Sequence, residues 1–99
     1  MNIEDIRLKK KQLYQIAAKY GIKQVSIFGS VARGDSTEIS DIDFLIDLEE
    51  SASLFGVGGF QYEAQNLLGV EVDVIPTFVL PSIDDQKFVQ TIQAEAIKV

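Results

Sequence analysis

The stretch SIFGSVARGDSTEISDIDFLID, residues 26–47, contains two strand-like segments separated by a polar interruption. The first segment ends at Gly29-Ser30, and the second resumes with Asp41 and Asp43, one residue apart. Aspartate is depleted in strands, so secondary structure alone does not account for this pair. Because strand side chains alternate, Asp41 and Asp43 are predicted to project from the same face of a sheet.

Outside this stretch, the spacing of apolar residues predicts alternating helices and strands. A helix with one apolar stripe is expected to begin at Asn2 and to end at Gly21. Residues 51–59, SASLFGVGG, are expected to form a flexible connection. The remaining elements are predicted to be strands at 24–29, 41–48 and 70–76, a helical turn at 31–33, and helices at 60–69 and 84–96.

Composition excludes several function classes. With 99 residues, 46% of them hydrophobic, the chain is expected to form a single domain, 1–99, around one modest core. The absence of cysteine and histidine excludes disulfides, thiol nucleophiles, Ser-His triads and the usual zinc sites, so any metal must be held by oxygen. The net charge of −6 argues against a general nucleic-acid binder. Without a leader or a long apolar run, the protein is expected to be cytoplasmic, with no membrane partner.

The aspartate pair favours a divalent cation. Two carboxylates on one patch repel each other, and a cation removes the conflict. Magnesium prefers oxygen ligands and is commonly bound by one or two carboxylates together with substrate phosphates. An isolated Asp-x-Asp is nevertheless more often an ordinary solvent-facing pair, so the magnesium interpretation needs further support.

Two other features supply that support. At Gly29-Ser30, glycine lets a backbone approach a phosphate, and the serine adds a hydroxyl donor. Asp73 lies within the apolar strand VEVDVI, where an unpaired charge is costly, and it is preferred to Glu71 as a third metal ligand because Glu71 lies nearer the strand start.

Two neighbouring features are set aside. Asp47 shares the parity of the aspartate pair but is expected to be exposed at a strand end. The spacing of Gly29 and Gly34 imitates a P-loop, yet Asp35 follows where that motif requires lysine, so the P-loop interpretation is rejected.

Together these residues carry a family resemblance. Gly29-Ser30, Asp41-Ile42-Asp43 and Asp73 on a later strand resemble the pattern of the DNA polymerase beta-like nucleotidyltransferase superfamily. Within it, the chain is similar to the minimal nucleotidyltransferases, the MntA-like antitoxins. The resemblance implies an α+β fold in which a small mixed sheet has helices packed on one side. It also implies two Mg²⁺ ions and transfer of a nucleoside monophosphate, with ATP as the expected substrate.

The resemblance also assigns roles to single residues. It implies that Gly29 and Ser30 hold triphosphate oxygens, that Asp41 and Asp43 bind both metal ions, and that Asp73 binds the catalytic ion. Asp73 is in addition a candidate acceptor for the proton of the attacking hydroxyl. Arg33 is a candidate contact to either the triphosphate or the acceptor.

The implied partner is a HEPN-domain toxin, which such proteins inactivate by adenylylating a tyrosine. Two alternatives remain open. One is a catalytically idle antitoxin that neutralises its toxin by binding alone, and the other is nucleotidyl transfer to RNA or to a small molecule. The toxin is expected to dock near Arg33, the loop 34–40 and the segment 51–59.

Overall fold

Five helices, four strands and one 3-10 turn make up the fold, as seen in a computed structural model that describes residues 1–99. In chain order the elements are α1 (Ile3–Leu8), α2 (Lys10–Lys19), β1 (Ile22–Phe28), α3 (Ser30–Arg33), β2 (Ile42–Leu48), α4 (Phe55–Leu68), β3 (Val72–Pro76), the 3-10 turn (Thr77–Ser82), α5 (Gln86–Glu95) and β4 (Ile97–Lys98).

The strands form one mixed sheet in the order β3-β2-β1-β4. β1 runs antiparallel to both β2 and β4, whereas β2 and β3 are parallel. The predicted α+β class with a small mixed sheet is thereby confirmed. None of the helices is long and apolar enough to cross a membrane.

Alternation along the strands divides the apolar residues between the two faces of the sheet. The expectation of helices on one side holds for α1, α2 and α4. These helices pack on one face of the sheet, against alternate residues of β1, β2 and β3. α5 and the 3-10 turn cover part of the opposite face. Their buried residues form a second, smaller apolar cluster with residues of β1 and β2. It consists of Phe28, Leu45, Leu80, Val89 and Ile92.

Four details differ from the sequence-based expectations. The first helix breaks at Lys9, whose ammonium group donates a hydrogen bond to the Leu67 carbonyl at the end of α4 (3.0 Å). Half of the segment predicted to be flexible is helical, because α4 begins at Phe55 rather than at 60. α5 is shorter than predicted and begins after Asp85, whose side chain caps it. The short strand β4 was not predicted.

Candidate active site

A cavity of about 640 Å³ opens where β1 ends and β2 begins. All the residues singled out from the sequence as candidate site residues line this cavity. They are Gly29, Ser30, Arg33, Asp41, Asp43 and Asp73. The opposite wall comes from α5, which contributes Phe88, Thr91, Ile92 and Glu95.

The strand register places two of the carboxylates side by side. In the parallel pairing of β2 with β3, Asp43 lies opposite Asp73, and adjacent strands are separated by about 4.8 Å. Asp41 lies one residue before β2, so all three acids reach the same cavity. Burial raises the pKa of Asp43, the charges of Asp73 and Asp41 raise it further, and Arg33 opposes them. Negative charge on Asp43 is therefore unfavourable in this site, and a bound cation would stabilise it.

The structure changes the argument for Asp73. Its side chain is exposed, so it is not a costly charge buried within a strand as the sequence suggested. Register with Asp43 places it in the cavity instead. Glu71 precedes β3 and lies outside the cavity, and its backbone carbonyl accepts a hydrogen bond from the Ile42 amide (3.0 Å). Asp47 is half-buried rather than exposed and accepts a hydrogen bond from the Thr77 hydroxyl (2.6 Å).

Gly29 is required by both conformation and space. Its φ of 76° and ψ of −151° lie in a region that is essentially restricted to glycine. A Cβ atom at this position would overlap the Asp43 carboxylate. The absence of a side chain therefore lets the β1–α3 turn approach the aspartates closely. Ser30 begins α3, which has no side-chain cap, so its hydroxyl group does not serve as one.

We expect Gly29→Ala to destabilise the fold by about 1–3 kcal/mol from backbone strain, with a further loss from the overlap with Asp43. Gly34→Ala is the matched control. Gly34 also has a positive φ (80°) but has open space around its Cα, so only about 1 kcal/mol should be lost there. Urea denaturation of both variants checks this order. An equal loss of stability at the two positions would contradict the close approach of Gly29 to Asp43.

Sequence reasoning missed Glu95, the last residue of α5. Its carboxylate accepts hydrogen bonds from the Gly29 amide (3.1 Å) and from the Arg33 guanidinium (3.0 Å). Arg33 also pairs with the exposed Asp35 (3.3 Å). The sequence did contain one signal for Glu95. It lies three residues after the buried Ile92, and this spacing places an acidic side chain beside the apolar stripe of α5.

The residues present fit magnesium in chemistry and in space. The donors are carboxylate oxygens, as Mg²⁺ prefers, and the three carboxylates line one cavity of about 640 Å³. No three acidic side chains converge as a ready-made ligand set. A bound cation would offset the mutual repulsion of the carboxylates and let them approach one another.

One part of the expected docking region lies elsewhere. Gly21, which precedes β1, approaches Ala52, and Gly56 and Gly59 approach Tyr20. This is the end of β1 opposite to Gly29, about 20 Å away for a seven-residue strand. The prediction that segment 51–59 lies beside the site was therefore wrong.

Comparison with known proteins gives close similarities. A family model described as a nucleotidyltransferase domain matches residues 8–99. A Methanocaldococcus jannaschii protein, provisionally named a protein adenylyltransferase, is 44% identical over 75 residues, which cover 76% of this chain and 77% of that protein. The protein adenylyltransferase MntA of Thermococcus cleftensis is 34% identical over 73 residues, covering 74% of this chain and 72% of MntA.

Solved structures resemble the fold. A chain described provisionally as a minimal nucleotidyltransferase superposes with a TM-score of 0.78 at 30% identity, covering 100% of this chain and 97% of that chain. A toxin-antitoxin structure with AMP-PNP has a TM-score of 0.68 at 15% identity, covering 90% and 70%. A complex of a tri-AMPylated HEPN toxin from Shewanella oneidensis with its MNT antitoxin has a TM-score of 0.62 at 14% identity, covering 93% and 69%. The last two likenesses concern the fold alone.

Proposed function

The chain belongs to the nucleotidyltransferase domain family, and on this premise we propose that it transfers AMP from ATP to a hydroxyl group of a partner protein. The observation that carries the proposal is that Asp41, Asp43 and Asp73 all line one cavity beside the Gly29–Ser30 turn. Relatives named as protein adenylyltransferases support a protein as the acceptor. We propose that residues 1–99 act as one nucleotidyltransferase domain.

Each residue has a role in this reaction. Asp41 and Asp43 would hold two Mg²⁺ ions, and Asp73 would share the catalytic one. When bound, the ions supply charge neutralisation on the triphosphate and on the attacking and leaving oxygens. The Gly29 amide and the Ser30 hydroxyl would donate hydrogen bonds to triphosphate oxygens, and Arg33 would add a positive charge.

The proposed transfer forms one phosphorus–oxygen bond and breaks another. The acceptor oxygen attacks the α-phosphorus of ATP, the bond to the β-phosphate oxygen breaks, and pyrophosphate leaves. Asp73, exposed in the cavity, accepts the proton of the attacking hydroxyl. The chain thus has to supply orientation and charge rather than a covalent intermediate.

We propose a HEPN-domain toxin as the acceptor and a tyrosine hydroxyl as the modified group, so that the chain acts in the cytoplasm as the antitoxin of a toxin-antitoxin pair. Support comes from the AMPylated HEPN toxin in the complex that shares this fold. Exposed apolar side chains in this region offer contact to a docked protein. Phe88 lines the cavity, and Ile39 immediately precedes the lining residue Ser40.

Labelled ATP tests the proposal directly. With magnesium present, label at the α-phosphate should appear on a HEPN-domain partner, and label at the γ-phosphate should not. RNA and an aminoglycoside, offered as separate acceptors, should remain unlabelled. Label on either of these in place of the protein would assign the enzyme to another acceptor class. Toxin neutralised without any label would favour an antitoxin that acts by binding alone.

A further inference from the structure

The Glu95 carboxylate contacts the Gly29 amide and the Arg33 guanidinium, two groups that the proposed function assigns to the triphosphate. One carboxylate oxygen accepts from the Gly29 amide, and the group also pairs with the Arg33 guanidinium (3.0 Å). The Glu95 side chain is only 20% exposed, so these contacts are partly shielded from water. Carboxylate and phosphate oxygens are both anionic acceptors, and they suit the same donors.

We infer that Glu95 competes with the triphosphate for the Gly29 amide and for Arg33, and that this residue thereby sets the affinity for nucleotide. The inference rests on the proposed function, since it requires that these donors bind a triphosphate. While Glu95 occupies them, only the fraction of molecules with the carboxylate displaced is competent to bind, and the apparent affinity falls by that fraction.

The position of Glu95 allows the exchange. It is the final residue of α5, and the chain continues in an extended conformation at Ala96. The buried residues of the helix, Val89 and Ile92, lie in earlier turns. The side chain can therefore leave the cavity by rotating, without repacking the core. Displacement also moves a negative charge away from Asp43.

A role confined to positioning Arg33 would leave the contact of Glu95 with Gly29 unexplained. A residue that only held Arg33 in place would need to reach the guanidinium, which Asp35 already contacts (3.3 Å). Glu95 also accepts a hydrogen bond from the amide of Gly29, a residue whose Cα lies close to the Asp43 carboxylate. Competition for that amide is the role that distinguishes Glu95 from Asp35.

The test measures the Kd of ATP with Mg²⁺ by calorimetry for the wild type and three variants. Glu95→Gln should bind about tenfold more tightly, because a neutral amide oxygen is a weaker acceptor than a carboxylate. Glu95→Asp retains the charge but is one methylene shorter, so it should also bind more tightly. Asp35→Asn removes a charge beside Arg33 without a contact to Gly29, and its Kd should stay within about twofold of the wild type.

Other patterns of affinity would overturn the inference. Unchanged or weaker binding in both Glu95 variants would show that the residue supports the site instead of competing for it. Tighter binding in Glu95→Gln and Asp35→Asn, with Glu95→Asp like the wild type, would show a general charge effect. If the wild type and every variant fail to bind ATP, the proposed function itself fails and this inference fails with it. If the wild type binds ATP and the Glu95 variants have the same Kd, only this inference fails and the proposed function stands.

Discussion

Asp43→Asn should lower AMP transfer on the order of a thousandfold and at the same time make the protein more stable at neutral pH. The loss of activity follows because Asp43 is the half-buried carboxylate at the centre of the proposed magnesium site, and its charge is worth several kcal/mol to a metal-assisted phosphoryl transfer. The gain in stability follows from the pKa of Asp43, which burial and the neighbouring acids raise.

The sign of the pH dependence follows from that shift. The pKa of Asp43 is raised on folding. Below the ordinary Asp value of about 3.9, the group is protonated in both the folded and the unfolded chain, so it does not change the free energy of unfolding there. As pH rises through the interval between the unfolded and folded pKa values, ionisation increasingly favours the unfolded chain. Asp43→Asn removes this cost. Its Tm should equal that of the wild type near pH 3 and exceed it at pH 7.

Asp47→Asn is the matched control, because Asp47 lies on the same strand and the same face but outside the cavity. It should retain transfer activity, since its side chain bonds Thr77 instead of lining the site. Thermal melts between pH 3 and pH 7, together with transfer of α-labelled ATP, check both variants. Full activity in Asp43→Asn would remove the proposed metal site. A stability difference that does not change with pH would contradict the role of burial.

Family membership and most of the candidate site could be predicted from the sequence because their determinants are local. The resemblance to minimal nucleotidyltransferases is confirmed by the family match and by relatives that cover three quarters of the chain. Strand alternation and the glycine at the end of β1 led to the aspartate pair and to the Gly29–Ser30 turn. The structure brings these residues together in one cavity, and their chemical roles stay predictions.

The parts that could not be predicted depend on tertiary contacts. Glu95 reaches Gly29 across 66 positions, and no local pattern records that contact. The two-residue strand β4 is too short for a periodic signal and exists through its pairing with β1. The glycines of segment 51–59 indicated flexibility, yet Gly56 and Gly59 lie inside α4, where they let the helix pack closely against Tyr20.

Replacing Asp41 and Asp43 together by asparagine should leave the partner toxin bound but unmodified. Asparagine has nearly the shape of aspartate but lacks the charge that would hold magnesium, so docking and catalysis should separate. Docking should depend instead on exposed apolar residues such as Ile39, which is 90% exposed in the loop before Asp41. Mass spectrometry of a HEPN-domain toxin co-expressed with the wild type should show one or more added AMP units, and co-expression with the double variant should show none.

Ile39→Asp provides the complementary change, because it alters this exposed loop position and leaves all three carboxylates in place. It should weaken co-purification of the toxin and slow its modification at low toxin concentration, whereas saturating toxin should restore the rate, since orientation of the hydroxyl depends on docking. Equal AMP addition by the double variant and the wild type would refute the catalytic role of the aspartates. A toxin that the wild type neutralises without any gain in mass would show that binding alone suffices, and the three acids would then need another explanation.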